Sequence, residues 1–170
     1  MKHLTMLSCA AFALLLVSCG KKQQNENLDL DFEPIEITTV ADPDFTESNT
    51  VTSGASTFAY TISRTASDSL PMIDDGMNHC FKDNVVKIVV TRDGAAYFDR
   101  TFTKQSFAKF LSSSDAEQST LGGVKFNKCE SGRMLFQVNI SSPVGDITVP
   151  FDVTVESDGS CSVAMGELEA

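Results

Sequence analysis

The chain has 170 residues, a formal net charge of −10, 42% hydrophobic and 21% charged residues. That length sets one ordinary domain with a tail, and that composition excludes a disordered or collagen-like chain. The acidic balance argues against a nucleic-acid partner, which phosphate chemistry would match with a basic face.

Residues 1–18 open with Lys2 and His3 and continue into the apolar run Ala10-Ala11-Phe12-Ala13-Leu14-Leu15-Leu16-Val17. The run is too short for a spanning helix and reads as a secretory signal. Leu16-Val17-Ser18-Cys19-Gly20 follows and resembles the bacterial lipobox: an apolar residue, two tolerant positions, then a cysteine. The resemblance implies cleavage before Cys19, diacylglycerol on its sulfur and acylation of the new amino terminus. Each buried lipid methylene contributes roughly 0.8 kcal/mol, so several chains anchor stably in a lipid bilayer where one does not. Gly20 in place of an Asp favours, by the same resemblance, the outer membrane. Lys21-Lys22-Gln23-Gln24 stands where a surface-export signal would place acids, so a periplasm-facing domain is expected over surface display.

Residues 19–34 form the lipidated end and a polar, then acidic stretch that closes at Pro34. It offers nothing to a core and reads as a flexible tether about 20 Å long on average. Residues 35–170 then make a single β-rich domain. Phe58, Tyr60 and Ile62 alternate with polar or small neighbours, as do Met134, Phe136, Val138 and Ile140, and then Ile147, Val149, Phe151, Val153 and Val155. Period two over such lengths specifies half-buried strands. Val85 to Val90 is nearly continuously apolar and predicts a strand buried on both faces. Asp93-Gly94 marks a two-residue hairpin, with further turns at Ser131-Gly132 and Asp158-Gly159. Pro150 lacks an N–H, which places its strand at an edge or a bulge. Lys104 to Leu111 sets Phe107, Phe110 and Leu111 at helical spacing and predicts one short helix. The fold class is mainly β: an antiparallel β-sandwich or a partly closed β-barrel with that one helix.

Five stretches carry a resemblance: Tyr60-Thr61-Ile62-Ser63-Arg64, Ser69-Leu70-Pro71, Lys82-Asp83-Asn84, Thr91-Arg92-Asp93-Gly94, and Thr101-Phe102-Thr103-Lys104 with Phe107. Together they are similar to a family of small lipoproteins of gut anaerobes, a domain of unknown function, over roughly residues 55–165. The resemblance implies an exported, β-rich protein and brings no activity or ligand.

Chemistry-bearing residues are few. Beyond His3 the one histidine is His79, in Asp74-Asp75-Gly76-Met77-Asn78-His79-Cys80, and no nucleophile elbow surrounds it. A mixed zinc site would need His79, Cys80, Cys129 and Cys161 to converge without any CxxC spacing. Ser106-Phe107-Ala108-Lys109 matches an SxxK pattern but lacks its SDN and KTG companions. Asp74, Asp75, Asn78 and Asp83 offer hard oxygens that calcium would accept, against the plainer reading of a solvated acidic loop. With Cys19 lipidated, three cysteines remain; if the last four strands form a meander, Cys129 and Cys161 fall at the same end of the sheet and are the favoured disulfide. Asp68-Ser69-Leu70 resembles a short sequence that some gut anaerobes O-glycosylate, at Ser69. No cofactor is expected. The expected function is non-catalytic binding of an envelope protein or glycan. Its alternatives are a glycan or peptidoglycan hydrolase with paired carboxylates, disfavoured by the absence of Trp and only two Tyr, and a carrier of an apolar ligand inside a barrel.

Overall fold

The computed structural model describes residues 36–167. The signal and tether readings and Cys19 lie outside them. Eleven strands run β1 (Thr38–Val40), β2 (Phe45–Ser53), β3 (Ser56–Ala66), β4 (Ile73–Asp74), β5 (His79–Phe81), β6 (Asn84–Arg92), β7 (Ala95–Phe102), β8 (Thr120–Glu130), β9 (Arg133–Ser141), β10 (Thr148–Val155) and β11 (Cys161–Met165). Between β7 and β8 lie a 3-10 helix over Lys104–Phe110 and a short α1 over Ser113–Glu117. Two helical turns thus replace the one expected helix.

The strands form two four-stranded antiparallel sheets, ordered β2-β3-β6-β7 and β11-β10-β9-β8, and a small sheet ordered β1-β5-β4. In the small sheet β1 runs parallel to β5. The two large sheets share one core, so the fold is sandwich-like and not a closed barrel. Phe58, Tyr60, Ile62, Val86, Ile88 and Val90 come from the first sheet; Val124, Met134, Phe136, Val138, Ile140, Phe151, Val153 and Val155 come from the second. The apolar sets expected for β3 and β9 are buried, because period two aims them at the opposite sheet; on the outer face of β9 Gln137 is buried as well, its Nε2 donating to the Glu167 carbonyl at 3.0 Å. Aromatic rings fill the interior: Tyr60 stacks on Phe126 with centroids 4.6 Å apart, and Phe136 meets Tyr60 edge-on at 5.7 Å. Those rings occupy the space that a carrier of an apolar ligand would need between the sheets.

Turn chemistry fixes the hairpins. Asp93 and Gly94 both adopt positive φ, 51° and 83°, and link Arg92 to its partner Ala95. That is the type I′ geometry the two residues predict. Ser131 and Gly132 repeat it at 52° and 74° between Glu130 and Arg133. The sandwich edges are stitched at these turns. Tyr97 donates its hydroxyl to the Glu156 carbonyl at 2.8 Å, and the Gly132 amide donates to Ser53 Oγ at 3.0 Å.

Two expectations are corrected. Within the apolar run of β6, Val86, Ile88 and Val90 are buried, but Val85 and Val89 are half-buried and Lys87 is exposed. The strand is central within its sheet, but its outer face carries only cross-strand neighbours such as Thr61 and Asp99, with Lys87 bridging to Asp99 at 3.2 Å. Pro150 lies in β10, between β9 and β11, and not in an edge strand. Its carbonyl accepts from the Gly166 amide at 2.9 Å, one residue past the end of β11. A residue's N–H and C=O point to the same side of its strand, so the missing donor faces the point where strand pairing stops.

Tyr60 supplies a pH probe of this core. Its hydroxyl donates to Glu47 Oε1 at 2.8 Å. Burial, then the hydrogen bond and the charge of Glu47, push its pKa up to about 12. An unfolded tyrosine ionises near ~10, so between those values the native state holds a proton that the unfolded state has lost. Stability from this group is complete below about pH 10 and is lost as pH rises toward 12. Thermal unfolding of Tyr60→Phe should fall off less steeply than wild type over that window. Parallel curves would remove Tyr60 as the cause.

Candidate ligand pocket

Lys82-Asp83-Asn84 lies where the chain leaves β5 and enters β6. Asp83 and Asn84 are both buried, at 3% and 0% exposure. A buried carboxylate must be matched by donors, and Asp83 finds them at long range. Its Oδ1 accepts the Asn84 amide at 2.8 Å and the Leu121 amide, from the start of β8, at 2.7 Å. Its Oδ2 lies 3.5 Å from Lys104 Nζ. Lys104, at the start of the 3-10 helix, also donates to the Ser119 carbonyl at 2.5 Å. Asn84 Nδ2 donates to the Leu121 carbonyl at 2.7 Å and to Asp42 Oδ2 at 2.8 Å. This one cluster therefore ties β6, β8, the 3-10 helix and the β1–β2 connection together.

A cavity of about 320 Å³ opens over this cluster. One wall is Leu70, Pro71, Met72 and Ile73, in the connection from β3 into β4; the other is Thr103, Lys104 and Gln105 with Ala116 and Glu117 of α1. The first wall is held by the Ser67 amide, which donates to the Asp83 carbonyl at 2.9 Å, and by the Lys82–Asp68 ion pair at 2.6 Å. The second is held by capping: Ser112 Oγ accepts the Asp115 amide at 3.1 Å, and Ser119 Oγ donates to the Asp115 carbonyl. Glu117 is exposed at the rim and has no hydrogen-bond or ion-pair partner among the described residues.

The other candidate residues fall elsewhere. Asp74 and Asp75 fold the β4–β5 loop onto themselves: Asp74 Oδ1 accepts the Gly76 amide at 2.8 Å, and Asp75 Oδ1 accepts those of Met77 at 2.7 Å and His79 at 3.0 Å. His79 Nδ1 lies 2.9 Å from Asp75 Oδ2. Burial opposes ionisation of Asp75, but the amides of His79 and Met77 and the imidazole outweigh it and hold the carboxyl below its usual range. Asn78 adopts a positive φ of 76° in the same loop. Asp83 is committed to Lys104 and two amides, so the four calcium candidates do not converge, and no cluster of three or more His, Cys, Asp or Glu among the described residues could hold a metal. Ser106 and Lys109 serve their own turn: Ser106 Oγ accepts the Thr103 amide at 3.2 Å, and Lys109 Nζ sits 4.5 Å from the Phe110 ring centroid. Ser69 is exposed, its Oγ 2.9 Å from Ser67 Oγ.

The disulfide expectation is corrected by register. The last four strands do form a meander, and one row across it reads Cys129, Met134, Val155, Cys161. The two cysteines share an end of the sheet but sit three strand spacings apart, about 14 Å. A disulfide needs Cα atoms within about 7 Å, and both thiols are free, as is that of Cys80. Burial raises the pKa of Cys129 against a lowering by Ser53; it raises that of Cys161 against Arg100. Alkylation without reductant should therefore be slow at Cys129 and Cys161 on the native protein, and in denaturant it should reach Cys80, Cys129 and Cys161 alike. Mass spectrometry that finds a Cys129–Cys161 crosslink would contradict this register.

Lys104, Glu117 and Met72 were not singled out by sequence reasoning as site residues. Lys104 stands in a stretch that carries the resemblance and at the start of the expected helix, and the signal that marks it is a cation placed on the first residue of that helical turn.

The family described as "Domain of unknown function (DUF4738)" matches residues 25–163 of the chain. The match begins nine residues before Pro34, within the segment read as a tether. No curated protein matches.

Proposed function

The chain belongs to the DUF4738 family, and from that premise we propose that it is a lipid-anchored envelope protein whose sandwich domain binds a ligand in the cavity over Asp83 and Lys104. One observation carries the reading. Three of the five stretches that bear the family resemblance meet at this cavity: Leu70-Pro71, Asp83 and Thr103-Lys104 all line it. They are far apart in sequence, and the 3-10 helix and the β3–β4 connection bring them together. The cavity is of the size that small-molecule sites occupy, with an apolar wall and a few convergent polar groups.

The anchor is supported by Leu16-Val17-Ser18-Cys19. Acylation of Cys19 holds the domain to the outer membrane, facing the periplasm. Labelled palmitate should enter the wild-type chain and not Cys19→Ala, and the variant should leave the membrane fraction. Protease should spare the domain on intact cells and degrade it once the outer membrane is opened. Equal label in both chains overturns the anchor. For the cavity, a fragment panel read by the methyl resonances of Met72 and Ile73 should yield binders. A panel that shifts neither, on a folded protein, overturns the site.

A further inference from the structure

We propose that this cavity takes a primary ammonium group carried on a short apolar stem, a chemistry supplied equally by a free alkylamine and by a lysine side chain. The proposal rests on the cavity being the ligand site.

The walls determine the stem. Leu70, Pro71, Met72 and Ile73 face the space, and Met72 is 54% exposed. An apolar chain laid along them would remove that surface from water. About 320 Å³ is near the small end of ligand cavities, so the stem is short.

Charge determines the head group. Lys104 is the only cation in the lining, and it is already engaged by the Asp83 carboxylate and the Ser119 carbonyl. An anion arriving there would compete with Asp83 for Lys104 and be repelled by Glu117. A cation meets the opposite situation. Asp83 and Lys104 cancel, and Glu117 remains at the rim without a partner among the described residues. Gln105, exposed beside it, offers a carbonyl as a second acceptor. The whole chain, at −10, adds a field that draws cations to its surface.

The test uses the full-length chain in detergent with isotope-labelled methionine methyl groups. Three probes are titrated: n-pentylamine, hexanoate, and Nα-acetyl-lysine N-methylamide. Met72 reports the cavity and Met134, wholly buried in the core, is the internal control. Both amines should shift Met72 and leave Met134 unmoved. Glu117→Gln should weaken them about five-fold, as expected for one exposed charge pair, and added salt should weaken them further. Tighter binding of the acetyl-lysine probe assigns the source to a peptide chain; tighter binding of pentylamine assigns a free amine. If hexanoate shifts Met72 and pentylamine does not, the ammonium assignment falls and the cavity reading stands. If Glu117→Gln binds pentylamine as wild type does, the assignment also falls. If no probe moves Met72, both fall.

Discussion

Asp83→Ala should destabilise the domain by about 3–5 kcal/mol, the usual effect of breaking a buried ion pair from one side, and lower its melting temperature by about 10–20 °C. Asp83 Oδ1 is the acceptor for the Asn84 and Leu121 amides, and its Oδ2 faces Lys104. Removing the carboxylate strands two backbone donors and leaves the ammonium of Lys104, whose side chain is 18% exposed, with the Ser119 carbonyl alone. Each stranded buried donor costs about 1–3 kcal/mol. Asp83→Asn keeps an oxygen for the amides and should lose less than half as much. Lys104→Met should also cost less than Asp83→Ala, because the carboxylate retains both amides. Asp83→Asn with Lys104→Met should cost less than the sum of the two single changes, since the second removes the charge that the first exposes. Thermal and urea unfolding followed by circular dichroism provide the check. A loss under about 1 kcal/mol for Asp83→Ala would mean that water replaces the carboxylate and that the cluster does not tie the sheets.

The contrast between this cluster and the strands shows which parts of the fold the sequence makes legible. Phe58, Tyr60 and Ile62, or Met134, Phe136, Val138 and Ile140, announce a buried face because period two is a local pattern and burial of that face follows from it. Asp93-Gly94 announces a hairpin because positive φ is a local demand. β2 is hidden for the converse reason: Phe45-Thr46-Glu47-Ser48-Asn49-Thr50-Val51-Thr52-Ser53 has apolar residues only at Phe45 and Val51, so its pairing with β3 depends on backbone hydrogen bonds that any residue can make. β4 and β5, two and three residues long, are too short to carry a period. Val85 and Val89 mislead because β-branched residues suit both faces of a strand. Distance across the sheet is invisible as well. That Cys129 and Cys161 share an end followed from counting strands, whereas their separation depends on the two strands between them. The pocket was illegible for a similar reason: Asp83 reaches Leu121, 38 residues away, and no spacing rule connects an acid at a strand's start to an amide at another's.

Phe107→Ala should cost about 3–5 kcal/mol, the range for deleting a buried aromatic ring, and it should also loosen the ligand cavity. Phe107 is the one wholly buried side chain of the 3-10 helix. Its ring centroid lies 6.1 Å from Phe102 of β7 and 4.8 Å from Phe151 of β10, so it plugs the end of the sandwich between the two sheets. Phe110, half-buried with its centroid 5.7 Å from Phe151, keeps part of its surface in water and should cost about 1–2 kcal/mol as Ala. The larger loss has a functional side. Lys104 and Gln105 are on the same short helix, and a seven-residue 3-10 segment has little stability of its own. With Phe107 gone, the amides of residues 104–106 should exchange with solvent faster than those of β9, and pentylamine should bind more weakly although no lining residue has changed. Phe107→Leu retains most of the plug and should restore both the protection and the binding. Faster exchange in Phe107→Ala with unchanged pentylamine affinity would mean that the cavity wall is held by the Lys104–Asp83 contact alone, and not by the ring beneath it.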